Sequence, residues 1–177
     1  MRGYFGIGVD HVNKAMNVGN LFRTANAFGA SFLFTIEAAY SPTDSKSDTS
    51  RAADQVPLYR YKDASELALP KGCSLIGIEI SETAVDLPSF RHPLRAAYVL
   101  GGERTSLDPA LMERCDHVVQ IPTRFSLNVA TAGAIVMYDR MISLGRFAER
   151  PVTPNAKVIP LADHVHGGPI FRTRRDR

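Results

Sequence analysis

A chain of 177 residues, 45% apolar and 22% charged, is long enough for one complete hydrophobic core and has an ordinary globular composition. No run approaches the roughly 18 apolar residues of a membrane span, and "MRGYFGIGVDHVNK" is too broken by polar residues for a secretory leader, so the reading is a soluble, cytoplasmic protein with no membrane association. The two cysteines, Cys73 and Cys115, lack CxxC spacing and further ligands, and His117 alone does not complete a zinc set, so two reduced thiols and no metal are expected.

The net charge of +3 is concentrated at one end. Residues 148–177 hold six basic and three acidic side chains, which accounts for the whole excess. A basic tail attracts phosphate backbones, although short charged termini are more often simply solvated.

Apolar and β-branched runs recur at "YFGIGV", "SFLFTI", "CSLIGIEI", "AAYVLGG" and "HVVQI", separated by helical or loop segments. That alternation predicts crossover connections and a mainly parallel sheet, and near-continuous apolar strands suit a sheet covered on both faces. After the first run, "NVGNLFRTANAFG" (residues 17–29) reads as a turn feeding a short helix with Leu21, Phe22, Ala25 and Phe28 on one side. Asn20 then serves as cap and Gly19 as the permissive turn residue, which puts Arg23 in the first turn. A cation is mildly repelled there unless an anion joins it, so the placement points to a visiting anion. The polar stretch "YSPTDSKSDTSRAADQVPLYRYKD" reads as a loop.

Farther along, Asp108 is a good N-cap and Pro109 a good first helical residue, so "SLDPALMERC" starts a short helix. A longer helix starts around Asn128, with Ala130, Ala134, Met137, Met141 and Leu144 as its predicted stripe. Gly133 costs that helix about 1 kcal/mol relative to alanine, so close approach of another helix, from the same chain or a second subunit, should exploit it. Beyond Gly145, "ERPVTPNAKVIPLADHVHGGPIFRTRRDR" has no core-forming period and reads as an extended arm. The organisation is one domain over residues 1–147 with a basic arm over 148–177.

Three stretches embed polar residues at predicted strand ends or helix starts. Asn17, Gly19, Asn20 and Arg23 form the first, for which a capped turn with a surface arginine is an equally good account. In the second, "VLGGERTSL", Gly101 and Gly102 end a strand at the edge where open α/β sheets bind ligands, followed by Glu103; a plain strand-to-loop turn explains the glycines as well. Neither a G-x-x-x-x-G-K nor a G-x-G-x-x-G fingerprint is present. The third, "IPTRFSLNVATAG", has Ser126 and Asn128 flanking Leu127 before the long helix; capping accounts for one of the pair and not both.

Together "NVGNLFRTANAFGAS", "YVLGGERTSL" and "IPTRFSLNVATAGAIVMYDR" resemble the three ordered motifs of the SpoU (TrmH-type) branch of the SPOUT RNA methyltransferases, over most of residues 3–146. Each motif singly is weak, and the three in order are specific. The resemblance implies an α/β fold, a mainly parallel sheet flanked by helices with a deep trefoil knot at its carboxyl end, although knots are otherwise almost absent from proteins. It implies a homodimer that uses S-adenosylmethionine to methylate the ribose 2′-hydroxyl of tRNA or rRNA.

Residue by residue, the resemblance assigns the family's catalytic arginine to Arg23 and its polar motif positions to Asn17, Glu103, Ser126 and Asn128. It assigns cofactor contacts to Ile78, Leu100, Gly101, Gly102, Ile121 and Leu127. Ser106 stands where the second motif commonly has glycine, Arg104 adds a charge beside it, and Thr123 replaces the usual methionine after "IP". Many relatives carry an additional RNA-binding domain ahead of the catalytic one; this chain reads as a minimal version that finds RNA through the catalytic domain, its dimer partner and the basic arm. Two other readings stay open on the residues: a nucleotide-dependent α/β enzyme using the same glycines, and a noncatalytic RNA-binding module with the same fold.

Overall fold

Each of the five apolar runs forms a strand in the computed structural model, which describes residues 3–11, 14–38, 51–102 and 106–161. They are β1 (Tyr4–Asp10), β2 (Phe32–Ile36), β4 (Ser74–Ile78), β6 (Arg95–Leu100) and β7 (His117–Gln120). Two further strands, β3 (Leu58–Tyr61) and β5 (Val85–Asp86), complete a seven-stranded sheet in the order β3-β2-β1-β6-β4-β7-β5, with every pairing parallel. β6 enters between β1 and β4, and β7 between β4 and β5, so later strands are seated between earlier ones.

The sheet is covered on both faces, as continuous apolar strands require. Phe5, Ile7 and Val9 of β1 point to one core with Ile76, Tyr98 and Leu100; Phe32 and Phe34 of β2 point to the other with Leu75, Ala97 and Val99. Gly6 and Gly8 make the second core possible. A Cβ on Gly6 would lie 2.2 Å from the Phe32 ring and one on Gly8 2.4 Å from the Phe34 ring, so the phenylalanines of β2 occupy the space that β1 leaves empty.

Helices α1 (Ala15–Ala27) and α4 (Val129–Leu144) pack together against the first core, while α3 (Pro109–Arg114) contributes Leu111 to the second. Their start signals differ in quality. Asp108 Oδ1 accepts from the Ala110 amide at 2.7 Å with Pro109 next, and Asn128 Oδ1 accepts from the Ala130 amide at 2.9 Å, both as the sequence predicts. α1 departs from expectation: it begins five residues before Asn20, its N-cap is Lys14 with no side-chain cap bond, and Gly19 and Asn20 lie inside it. Burial of Val18, Gly19, Leu21, Phe22 and Ala25 overrides the poor helix propensity of that stretch. Gly29, at φ +76°, then ends the helix, with the Ala30 amide returning to Ala25 O at 2.9 Å.

α4 also differs from its predicted stripe. Val129, Gly133, Val136, Met137 and Arg140 are buried, whereas Ala130, Ala134, Met141 and Leu144 are half-buried. The helix is apolar on nearly every side, so periodicity does not single out a face, and the recruitment of a charged residue into the core has no apolar signature. Gly133 is used as expected by a helix of the same chain: a Cβ there would sit 2.2 Å from Leu21 Cδ1 of α1.

Arg140 is 1% exposed and anchors the far end of α4 at the amino edge of the sheet. Its guanidinium donates to Pro93 O at 2.6 Å, Leu94 O at 2.9 Å, Tyr4 O at 3.2 Å and Tyr98 Oη at 3.1 Å. His92 joins the network, with Nδ1 2.6 Å from Tyr98 Oη and Nε2 2.9 Å from Asp139 Oδ2. Burial pushes the Tyr98 hydroxyl up to about 12 and pulls His92 below its ordinary value, the Asp139 carboxylate only partly opposing this.

The stretch 40–63 is not one loop. α2 (Ala52–Gln55) and edge strand β3 occupy its second half, and the earlier part lies outside the described residues. β3 was hidden because Leu58-Tyr59-Arg60-Tyr61 is largely exposed and lacks an apolar run. Contacts divide the chain into units Met1–Gly145 and Arg146–Arg177; residues 146–161 of the second hold turns, bends and irregular backbone without helix or strand. Cys73 and Cys115 are free and half-buried, and burial pushes the Cys115 thiol up to about 11. Among the described residues no helix is long and apolar enough to cross a membrane, and no cluster of side chains is suited to a metal.

Candidate active site

Because all strands run the same way, the ends of β4, β6 and β7 meet at one edge, where open α/β sheets present ligand crevices. A cavity of about 340 Å³ lies there. Ile78, Glu79 and Ile80 line it from the end of β4; Leu100, Gly101, Gly102 and Ser106 from the exit of β6; Gln120, Ile121 and Thr123 from the exit of β7; and Ser126, Leu127, Val129 and Ala132 from the approach to α4 and its first turns. All six residues that the sequence resemblance assigns to cofactor contacts are in this wall, and so is Ser126.

The other sequence candidates are distributed differently. Asn128 is the N-cap of α4, so capping accounts for it and leaves Ser126 at the cavity. Asn17 is half-buried in the first turn of α1, and neither it nor Arg23 lines the cavity. Glu103 lies outside the described residues, as does Arg104. The expectation that Arg23 sits in a first turn is overturned: α1 starts at Ala15, so Arg23 is in its third turn, exposed, about 9 Å along the axis from Asn17 at 1.5 Å per residue. The unpaired amides of a helix start do not reach that far, so no repulsion from them acts on this guanidinium.

Two carboxylates that sequence reasoning missed organise the segment entering α3. Glu79 accepts from the Ile80 amide at 3.0 Å and from the Leu107 amide at 2.9 Å. Asp10, fully buried at the end of β1, accepts from the Asp108 amide at 2.9 Å through Oδ2 and contacts His11 Nδ1 at 2.8 Å through Oδ1. Consecutive amides are thus held by strands on either side of β6. The signal was available in both cases: "IGIEI" and "FGIGVD" each place one carboxylate within or at the end of an otherwise apolar run, where a charge persists only with partners. His11 also contacts Glu37, with Nε2 2.7 Å from Oε2. Burial lowers the affinity of His11 for its proton, but Asp10 and Glu37 together outweigh it and the value is raised.

The SpoU rRNA methylase family profile matches residues 5–138. Among curated relatives, the chain is 28% identical over 137 residues to a mouse tRNA (guanosine(18)-2′-O)-methyltransferase, TARBP1, covering 72% of this chain and 9% of that protein. It is 28% identical over 143 residues to the 23S rRNA (guanosine-2′-O-)-methyltransferase RlmB of Acinetobacter baylyi, covering 75% and 57% of the two chains. It therefore spans little more than half of the second relative and a small part of the first. Among solved structures, the SpoU methyltransferase AviRb of Streptomyces viridochromogenes in complex with the cofactor AdoMet superposes with a TM-score of 0.72 at 25% identity, over 82% of this chain and 60% of that one. A structure concerned with 2-OH methylation of C/U34 on tRNA superposes with a TM-score of 0.68 at 22% identity, over 80% of this chain and 97% of that one, a likeness of fold. With a profile match across both glycine-edged and serine-bearing walls of the cavity, the chain belongs to the SpoU rRNA methylase family.

Proposed function

We propose that this chain is an S-adenosylmethionine-dependent methyltransferase that acts on a ribose 2′-hydroxyl of tRNA or rRNA. The observation that carries the reading is the convergence of Ile78, Leu100, Gly101, Gly102, Ile121 and Leu127, from three separate segments, on one cavity at the carboxyl edge of the sheet. At about 340 Å³ the cavity falls in the range of about 300 to 1,000 Å³ usual for small-molecule sites, and its aliphatic walls with a glycine rim suit a ligand that is part apolar and part hydrogen-bonding. S-adenosylmethionine, when bound, supplies an electrophilic methyl group on a sulfonium.

Ile78, Leu100, Ile121 and Leu127 enclose the apolar part of the site and exclude water, while Gly101 and Gly102 offer backbone groups to polar atoms. Ser126 orients the ribose from the same wall, and Asn128 fixes the loop that carries it by capping α4. Arg23 binds a phosphate of the RNA on the exposed face of α1 and stabilises charge that develops on the ribose oxygen. A guanidinium with a pKa above about 12 does not act as the base, so a phosphate oxygen or water accepts the proton. Asn17, in the first turn of α1, and Glu103 are the polar positions that the family resemblance groups with Arg23.

The same reading makes residues 1–147 the catalytic domain, in the cytoplasm, and 148–177 a basic arm toward RNA. It includes the family's carboxyl-terminal trefoil knot, with which the late seating of β6 and β7 between earlier strands is compatible. It also includes a homodimer. Ile135, Tyr138 and Ile142 are 36%, 48% and 37% exposed and share one face of α4, an apolar stripe opposite the face buried on α1.

The test incubates purified protein and methyl-labelled S-adenosylmethionine with total tRNA and, separately, with ribosomal RNA from a strain lacking the gene. Label at a ribose 2′-oxygen is the expected result, and its position identifies the substrate. Cofactor binding with no incorporation into either RNA would leave a noncatalytic RNA-binding module. Affinity for a dinucleotide in place of S-adenosylmethionine would make it a different α/β enzyme.

A further inference from the structure

We propose that Asp10, His11 and Glu37 form a positioning relay for the site, in which an imidazolium at His11 fixes the Asp10 carboxylate against the Asp108 amide and so holds Ser106 at the cavity wall. The inference rests on the methyltransferase reading for its purpose, although the relay itself stands on contacts at the ends of β1 and β2.

Hydrogen-bond chemistry sets the state of His11. Its Nδ1 lies 2.8 Å from Asp10 Oδ1 and its Nε2 2.7 Å from Glu37 Oε2. Ionised carboxylates only accept, so both ring nitrogens must donate, and a ring with two N–H groups is an imidazolium. Among the described residues, the charged groups in contact with it are Asp10 from β1 and Glu37 from β2; Asp108, from the start of α3, turns its own carboxylate to the Ala110 amide.

Backbone geometry argues that the arrangement is held in place from several sides. His11 and Glu37 both adopt left-handed conformations, φ +49° and +48°, immediately after paired residues Asp10 and Ile36. Neither is glycine, so each conformation carries a cost that persists only where surrounding contacts determine it, and such residues concentrate at functional sites. Here the His11 amide donates to Ile36 O and the Glu37 amide to Tyr61 O, both at 3.1 Å, stitching β1, β2 and β3 at the same edge.

Position connects the relay to the cavity. Val9 pairs with Leu100, which places Asp10 level with the glycine rim on the neighbouring strand. Asp10 uses its second oxygen on the Asp108 amide, while Glu79, itself in the cavity wall, takes the Leu107 amide. Ser106 precedes these two tethered residues and lines the cavity. Losing the proton from His11 removes a donor from one of its two carboxylates and leaves Asp10 and Glu37 without the charge that joins them. The relay is complete below the pKa of His11 and is lost as pH rises through it.

The experiment measures S-adenosylmethionine affinity against pH by calorimetry, the His11 ring titration by NMR, and amide hydrogen exchange at Leu107 and Asp108. In the wild type, His11 should titrate above its ordinary value of 6.5, with affinity falling over the same range. Glu37→Gln, at an exposed position, should move both midpoints to lower pH together. Asp10→Ala should weaken affinity at least about tenfold, the loss of one charged hydrogen bond, and speed exchange at Asp108 while Leu107 stays protected by Glu79. Unchanged midpoints in Glu37→Gln, or wild-type exchange at Asp108 in Asp10→Ala, would overturn the relay. Absence of S-adenosylmethionine binding in the wild type would instead overturn the methyltransferase reading, and titration and exchange would still decide the relay.

Discussion

Arg140→Met is the most informative single perturbation of the fold. The native guanidinium, 1% exposed, donates to three backbone carbonyls and one phenol and lies 5.5 Å from the Phe5 ring centroid and 5.9 Å from that of Tyr98. Replacing a buried charge by a well-packed apolar side chain is often neutral when its partner is replaced too. Here the partners are main-chain carbonyls that no substitution removes. Leu94 O keeps the Tyr4 amide at 3.0 Å, Tyr4 O keeps its place in the β1–β6 ladder and Tyr98 Oη keeps His92, so the loss falls on Pro93 O. A bond from a charged donor contributes about 1.5 to 3 kcal/mol, and with one carbonyl left unpaired the destabilisation is about 2 kcal/mol. For a chain of this size that lowers Tm by about 4 to 8 °C. Urea unfolding and calorimetry on wild type, Arg140→Met and Arg140→Lys measure it, with the lysine variant intermediate because it donates without the planar fork. A loss below about 1 kcal/mol for Arg140→Met would refute the reasoning and show that these carbonyls are satisfied without the guanidinium.

Four other outcomes are expected. Arg23→Ala should abolish methyl incorporation into RNA while S-adenosylmethionine affinity stays within about twofold, and Arg23→Lys should fail as well because bidentate phosphate recognition needs the guanidinium plane. His92 is buried with its pKa lowered, so the stability it contributes is complete above 6.5 and is lost as pH falls below that value; the gap in urea midpoint between wild type and His92→Gln should narrow from pH 7.5 toward 5.5, and a pH-independent gap would contradict this. Gly8→Ala should cost about 1 to 3 kcal/mol by overpacking against Phe34, and much less in a Phe34→Leu background, as a double-mutant cycle in urea would record. Tyr138→Glu on the exposed face of α4 should convert a dimer to a monomer in light scattering without lowering Tm by more than a few degrees, and an unchanged mass would remove that face as the dimer surface.

The five apolar runs announced five strands because burial on both faces leaves no ambiguity of period. The caps at Asp108 and Asn128 were equally legible, since a short polar side chain before a helical segment has few other uses. The start of α1 was not: Asn17, Gly19 and Asn20 look like a turn locally, and only the contact of α1 with α4 makes them helical. β3 and β5 escaped because one is largely exposed and the other is two residues long, held by pairing to neighbours distant in sequence. In the site, the wall residues were legible through resemblance; the lone carboxylates of Asp10 and Glu79 in apolar runs signalled buried partners, but which backbone amides those are no sequence pattern marks.

The length of α4 ties the two edges of the sheet together. Its first turn, through Val129 and Ala132, forms part of the cavity wall at the carboxyl edge, and Arg140, about 16 Å along the axis from Val129, is bonded to Tyr4 O and Leu94 O at the amino edge. Between them Gly133 lets the helix settle onto Leu21 of α1. A rigid rod fixed at its middle and at one end has its other end fixed as well, so the direction in which residues 121–128 leave β7 and reach Asn128 is set by contacts far from the cavity. That geometry explains why a charged residue is buried at the end of the sheet opposite the cavity. The apolar stripe of α4 cannot specify its own register, because nearly every side of the helix is apolar, whereas a guanidinium that must meet three carbonyls admits one rotation and one height. Sliding α4 by one residue would forfeit those bonds, and the loop carrying Ser126 would move with it.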